Sequence, residues 1–162
     1  MHQDRAHPNF SKDSIMRSNL PAKEYFLNKS IPGHTDYIIV EHIDSGMNAH
    51  MFRAWNESIN SYFACKIIPK SNLINYDEDP EEWRDEVLKA NRLEIDTVVK
   101  IFHVSEWKDA EKGIDCVALC ANFIKGENLE KYIKKNKMSV TVAFIEDFLL
   151  EMLSFFNAMA AQ

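Results

Sequence analysis

Apolar and polar positions alternate along the middle of the chain and then change rhythm. Tyr37-Ile38-Ile39-Val40-Glu41-His42-Ile43 is β-branched and aromatic, and it reads as a strand. Asp44-Ser45-Gly46-Met47-Asn48 is turn chemistry, and Met51-Phe52-Arg53-Ala54-Trp55 reads as the returning strand. Asn56–Asn60 makes a second turn, and Tyr62–Ile68 a third strand ended by Pro69. Short turns between three strands predict an antiparallel meander. Asp79 then suits an N-cap, Pro80 the first helical position and Glu82 a capping box, so a helix is expected from Pro80 to about Leu93. Val98–Val104 and Ile114–Leu119 read as two more strands, turning around Lys108–Gly113. Leu129–Lys135 reads as a short helix. Ser139 or Thr141 caps a long one reaching Ala161, with Ile145, Phe148, Leu149, Met152, Phe156 and Met159 along one side.

The fold class expected from this order is α+β: a five-stranded antiparallel sheet with one packed helix, then a short helix and a long C-terminal helix. Three regions follow. Residues 1–35 form a polar leader, rich in Ser, Asn and Lys and expected to be flexible, with a short possible helix at Pro21–Asn28. Residues 36–125 form a small lobe, and residues 126–162 the beginning of a second one.

Composition narrows the functions. A net charge of −6 argues against a general nucleic-acid binder, which needs a basic patch. Apolar stretches fall short of the roughly 20 residues a membrane helix needs, so no membrane role is expected. The polar start lacks the apolar core of a secretory signal. Cys65, Cys116 and Cys120 are an odd count without His or Cys neighbours at metal-ligand spacing. A reducing, cytoplasmic setting is expected.

The chemistry centres on Lys66. Alternation puts Ala64, Lys66 and Ile68 on one face of a strand whose two faces are both largely apolar. A lysine there either snorkels outward or meets an anion. Trp83, Val87 and Ala90 would form the buried stripe of the following helix, with Glu86 at its border. A carboxylate so placed and a lysine on a central strand satisfy one another; Glu81, Glu82 and Asp85 are rival acids.

Phe63-Ala64-Cys65-Lys66-Ile67-Ile68 resembles the Ala-x-Lys signature of the third strand of protein kinases. In that family the lysine holds the α- and β-phosphates of ATP and pairs with a glutamate on the next helix. Glu86 lies twenty residues after Lys66 and fourteen before Lys100 of Val98-Val99-Lys100-Ile101, which suits that pattern. Ala121-Asn122-Phe123-Ile124-Lys125-Gly126-Glu127-Asn128-Leu129 is similar to the kinase hinge. The resemblance implies a protein-kinase-like small lobe that binds ATP with Mg²⁺. Lys66 and Glu86 would be its catalytic pair. Ile43, Gly46, Met51, Ala64, Lys66, Ala121, Asn122, Ile124 and Asn128 would hold the nucleotide, with Ala121 as a small gatekeeper and the backbone of Asn122 and Ile124 on the adenine edge.

Two departures qualify what the resemblance implies. The phosphate loop matches Gly-x-Gly-x-x-Gly at Asp44, Gly46 and Ala49, keeping one glycine, which predicts weak nucleotide binding. No His-Arg-Asp loop follows the last helix. The expected function is therefore the ATP-binding lobe of a protein kinase of Ser/Thr type, inactive alone. The alternative is a non-catalytic, pseudokinase-like module that binds a protein partner. The apolar last helix calls for a cover: the missing large lobe, or another protein.

Overall fold

The computed structural model describes residues 20–73, 84, 87, 91–92, 99–136 and 141–160. Six strands form one antiparallel sheet: β1 (Ser30–Ile31), β2 (His34–Ser45), β3 (His50–Asn56), β4 (Ser61–Pro69), β5 (Ile101–Asp109) and β6 (Ile114–Asn122). Their order is β1-β2-β3-β4-β6-β5. Two helices follow, α1 (Leu129–Lys135) and α2 (Val142–Ala160).

Local chemistry explains the connections. Between β3 and β4, Asn56 Oδ1 accepts the Ile59 amide at 3.2 Å, and Asn60 takes the left-handed conformation that asparagine tolerates. Between β5 and β6, Asp109 Oδ1 accepts the Lys112 amide at 3.2 Å, and Gly113 closes the turn at φ 65°, where a Cβ would be strained. Thr141 Oγ1 accepts the Phe144 amide at 3.2 Å, which makes Thr141 a cap of α2. Asn128 Oδ1 accepts the Lys131 amide at 2.8 Å and caps α1.

Strand alternation sorts the side chains. His50, Phe52, Ala54 and Asn56 of β3 point inward, as do Phe63, Cys65 and Ile67 of β4. Of these, Phe52, Ala54, Cys65 and Ile67 build one core with Cys116, Ala118 and Cys120 of β6. Residues outside the expected small lobe complete it. Phe26 and Ile31 are fully buried, and the Phe26 ring meets Trp107 edge-on at 5.1 Å and Phe52 at 5.7 Å.

The sheet rolls until its far strands meet. Tyr25 donates from its hydroxyl to Asp109 Oδ2 at 2.7 Å. His34 of β2 stacks on His103 of β5 with ring centroids 3.8 Å apart, and Tyr37 Oη lies 3.2 Å from His103 Nε2. The strands β1 and β5 share no ladder, so the barrel is nearly closed.

This overturns the expected fold class. An open five-stranded sheet of the protein-kinase small-lobe kind was expected; a six-stranded, nearly closed antiparallel barrel plus two helices is found. The physical reason is the extra strand Ser30–Ile31, together with the Phe26 plug and the side chains that tie β2 to β5. The functional expectations that rested on the open lobe are corrected with it. They are Ser/Thr protein kinase activity of the parent, its ATP-binding lobe as the function of this chain, and the pseudokinase-like alternative. The helix expected at Pro80–Leu93 lies mostly outside the described residues; Arg84, Val87, Asn91 and Arg92 are helical. Among the described residues no helix is long and apolar enough to cross a membrane.

Candidate functional site

The register of the three central strands builds the floor of a groove on the sheet face opposite the barrel core. Met51, Lys66 and Leu119 are cross-strand neighbours on β3, β4 and β6, and Arg53, Ala64 and Ala121 form the next such row. Ala64 and Ala121 are small where their neighbours are long, so the floor is recessed there. The resulting chamber has a volume of about 510 Å³ and an apolar lining that includes Ile43, Met51, Leu119 and Ile124. A second chamber of about 610 Å³ lies against the β2–β3 turn and the start of α1. The two share Ile43, Met51, Lys66 and Gly126 as walls, so they form one continuous groove with Lys66 at the junction.

The groove gathers nine of the residues singled out in the sequence. Ile43, Met51, Ala64, Lys66, Ala121, Asn122 and Ile124 line the apolar chamber, while Gly46 and Asn128 line the other. Glu86 lies outside the described residues. Asn128 reaches the groove, but its side-chain oxygen is engaged in capping α1.

Charge in the groove is uneven. The second chamber is lined by Asp44, Glu127, Lys66 and Lys131. Lys131 Nζ stands 4.0 Å from Asp44 Oδ2, and Lys135 Nζ stands 3.6 Å from Glu127 Oε1. Lys66 is exposed to the groove and, among the described residues, has no carboxylate at ion-pair distance. It is the surplus cation of the site.

The turn that walls the second chamber is braced from behind. His50 is buried, and its Nε2 donates to the Pro21 carbonyl at 2.8 Å. Its Nδ1 therefore accepts the Ser45 hydroxyl at 2.8 Å in the neutral ring, and Ser45 Oγ in turn accepts from His42 Nε2 at 2.8 Å. The Gly46 amide donates to Ala49 O at 3.0 Å, and Asp44 Oδ1 accepts the Ser45 amide at 2.9 Å. This relay ties the turn to residue 21, within the segment expected to be a loose leader.

A second lysine carries a different message. Lys70 is buried, with Nζ 2.9 Å from Glu106 Oε2 and 3.4 Å from Asp115 Oδ1. Glu106 also meets Lys108 at 2.8 Å and Arg84 at 2.8 Å. Hydrogen bonds from Lys108 and Lys70 outweigh burial and hold the Glu106 carboxyl down at about 2. Burial alone would lower the Lys70 ammonium; the Glu106 hydrogen bond and the Asp115 charge overcome it and raise the group well above its ordinary value. Sequence reasoning passed over Lys70, because its partners come from two later strands and no local spacing announces them.

No protein-family model matches the chain, and no curated protein matches it. Among solved structures it is similar to the crystal structure of Rad53 1-466 in complex with AMP-PNP, with a TM-score of 0.63 and 16% identity. The match covers 78% of this chain and 31% of that one, so this chain spans less than a third of its length. At that identity the likeness is one of fold alone, and partial. It assigns no family.

Proposed function

We propose that the chain is a small-ligand-binding module whose groove takes a flat, mostly apolar ring system carrying an anionic tail. The observation that carries this reading is the continuous two-chamber groove with Lys66 at its junction, open to the groove and without a carboxylate partner among the described residues. The chamber volumes of about 510 and 610 Å³ fall in the range of small-molecule sites, which are largely apolar with a few convergent polar groups. The ring would lie over Ala64 and Ala121, and the tail would pass Lys66 toward the Gly46 turn. Mg-ATP is the first probe: Mg²⁺ is usually held by ligand phosphates and one or two carboxylates, and Asp44 and Glu127 stand in the second chamber. Rad53 was crystallised with AMP-PNP, a ligand of this chemistry. The proposal is one of binding, without phosphoryl transfer.

The test is calorimetry and thermal shift with Mg-ATP, Mg-ADP and adenosine. Ligand at 100 times its Kd should stabilise the chain by about 2.7 kcal/mol. Lys66→Met should weaken the nucleotides more than adenosine, and Ala121→Phe, which fills the floor, should weaken all three. Equal responses in native and Lys66→Met chains would sink the reading, as would no response to any of the three at millimolar concentration.

A second reading, a protein partner, rests on α2. Val142, Leu150 and Leu153 are 71%, 64% and 57% exposed, and Ile145, Leu149 and Phe156 are also open to solvent. Exposed apolar surface on this scale marks an interaction site. Replacing Leu149 and Leu153 with Glu should abolish any association seen by light scattering; association that persists unchanged argues against α2 as the surface.

A further inference from the structure

The seam that closes the barrel is held by two imidazoles. His34 begins β2 and His103 lies on β5, with β3, β4 and β6 between them in the sheet order. Their contact is therefore made across the seam, not along a ladder. The rings are tilted by 31° with centroids 3.8 Å apart, close enough for face contact. Tyr37 Oη lies 3.2 Å from His103 Nε2, and the Tyr37 ring meets His103 edge-on at 5.1 Å. A polar cavity of about 360 Å³ opens beside the pair, lined by Asp36, Asn56 and Ser58 among others.

The surroundings fix how this pair answers protons. From β2, the titratable groups facing it are Asp36, Tyr37 and His34 itself. The Asp36 carboxylate accepts the Ser58 hydroxyl at 3.1 Å and is the one carboxylate lining the cavity among the described residues. Cys120 of β6 stands opposite His103 in register, and β3 and the turn after it offer Asn56, Ser58 and Ile59, which carry no charge. One added positive charge is offset by the Asp36 carboxylate lining the same cavity and by water. Two protons set like charges face to face in a partly buried place, where they repel strongly.

We infer that His34 and His103 form a proton-operated latch on the barrel seam, stacked while at most one is charged and driven apart when both are. Burial lowers the His103 imidazole below its ordinary value, and the charge of His34 pushes it the same way. A depressed folded value means the unfolded or opened state binds the proton more tightly. The latch's stabilisation is thus fully present above an unfolded value of about 6.5 and is lost as pH falls through the folded value. Ile101 begins the same strand two residues before His103 and lines the groove, so opening the seam moves a groove wall. That consequence rests on the ligand reading; the latch itself does not.

NMR titration of the His103 Cε1 proton, with hydrogen exchange of the β5 amides, tests the latch without any ligand. In the native chain His103 should titrate below about 6.5, and in His34→Phe, which keeps the stacked ring and removes the proton, it should move back up. Protection of the Phe102–Val104 amides should fall by up to about tenfold per pH unit between about pH 6.5 and the His103 titration in the native chain, and fall less in the variant, where burial alone lowers His103. Should His34→Phe fail to fold, His34→Gln serves the titration, and the native exchange profile stands alone. An unshifted His103 titration in the variant that folds overturns the latch, and so does level β5 protection in the native chain from pH 8 to pH 5.

Discussion

Removing the charge of Glu106 tests how the buried Lys70 is held. Glu106→Gln keeps the shape and one acceptor but removes the nearer of the two carboxylates that meet Lys70 among the described residues, leaving Asp115 at 3.4 Å and more exposed. Hydrogen bonds from Lys108 and Lys70 hold the Glu106 carboxyl at about 2 against an ordinary 4.5, a difference of about 2.5. At about 1.36 kcal/mol per unit that is roughly 3.4 kcal/mol as an upper bound. The Glu106 side chain is 34% exposed, and its bonds to Lys108 and Arg84 sit in solvent. Screening and the surviving Asp115 cut the figure to about 1.5 kcal/mol. The assay is urea denaturation followed by Trp fluorescence, with the buried Trp107 contributing, at pH 7, 5, 4 and 3. A depressed carboxylate contributes stability that is present above its unfolded value and lost as pH falls through the folded one. The native chain should therefore lose stability from about pH 4.5 toward 2, and Glu106→Gln should start about 1.5 kcal/mol lower and decline less. Lys70→Met in the Glu106→Gln background should recover much of the loss, since the buried cation is then removed along with the carboxylate that faced it. Equal stability of native and Glu106→Gln chains at pH 7, together with parallel acid profiles, would falsify the account of this network.

Two further perturbations address the segment before the barrel. Phe26→Ala removes a fully buried ring wedged against Trp107 and Phe52, and it should cost about 3–5 kcal/mol in denaturant unfolding; a loss under 1 kcal/mol would mean the ring is not part of the core. His50→Ala cuts the relay from Ser45 to the Pro21 carbonyl and should cost about 1–3 kcal/mol. It should also raise hydrogen exchange at Gly46 and Ala49, and unchanged exchange there would separate the turn from its brace.

The parts of this molecule legible in the sequence are those fixed by neighbours along the chain. Ala64 and Lys66 were assignable to one face because a strand repeats every two residues, and the register of β3, β4 and β6 then brings Met51, Leu119 and Ala121 beside them. The short helix Leu129–Lys135 has an Asn before it and lysines in its last turn, signals that are wholly local. What escaped depends on residues far apart in sequence. The expected strand at Val98–Val104 instead runs Ile101–Asp109, because Trp107 is drawn inward to pack on Phe26, 81 positions earlier. Its Glu106 and Lys108 look like turn residues in isolation, yet they are strand positions whose charges pair with Lys70 and with each other. A two-residue strand such as Ser30–Ile31 is shorter than any period can reveal, and the three-residue apolar run Tyr25-Phe26-Leu27 is too short to show which of its side chains enters a core. Those two features, with His34, Tyr37 and His103, turn an open sheet into a nearly closed barrel. The expected open lobe failed there because closure is decided by side chains that no local window contains. The groove does not depend on that decision: its floor is set by the register of the central strands, which is the same whether or not the outer strands meet.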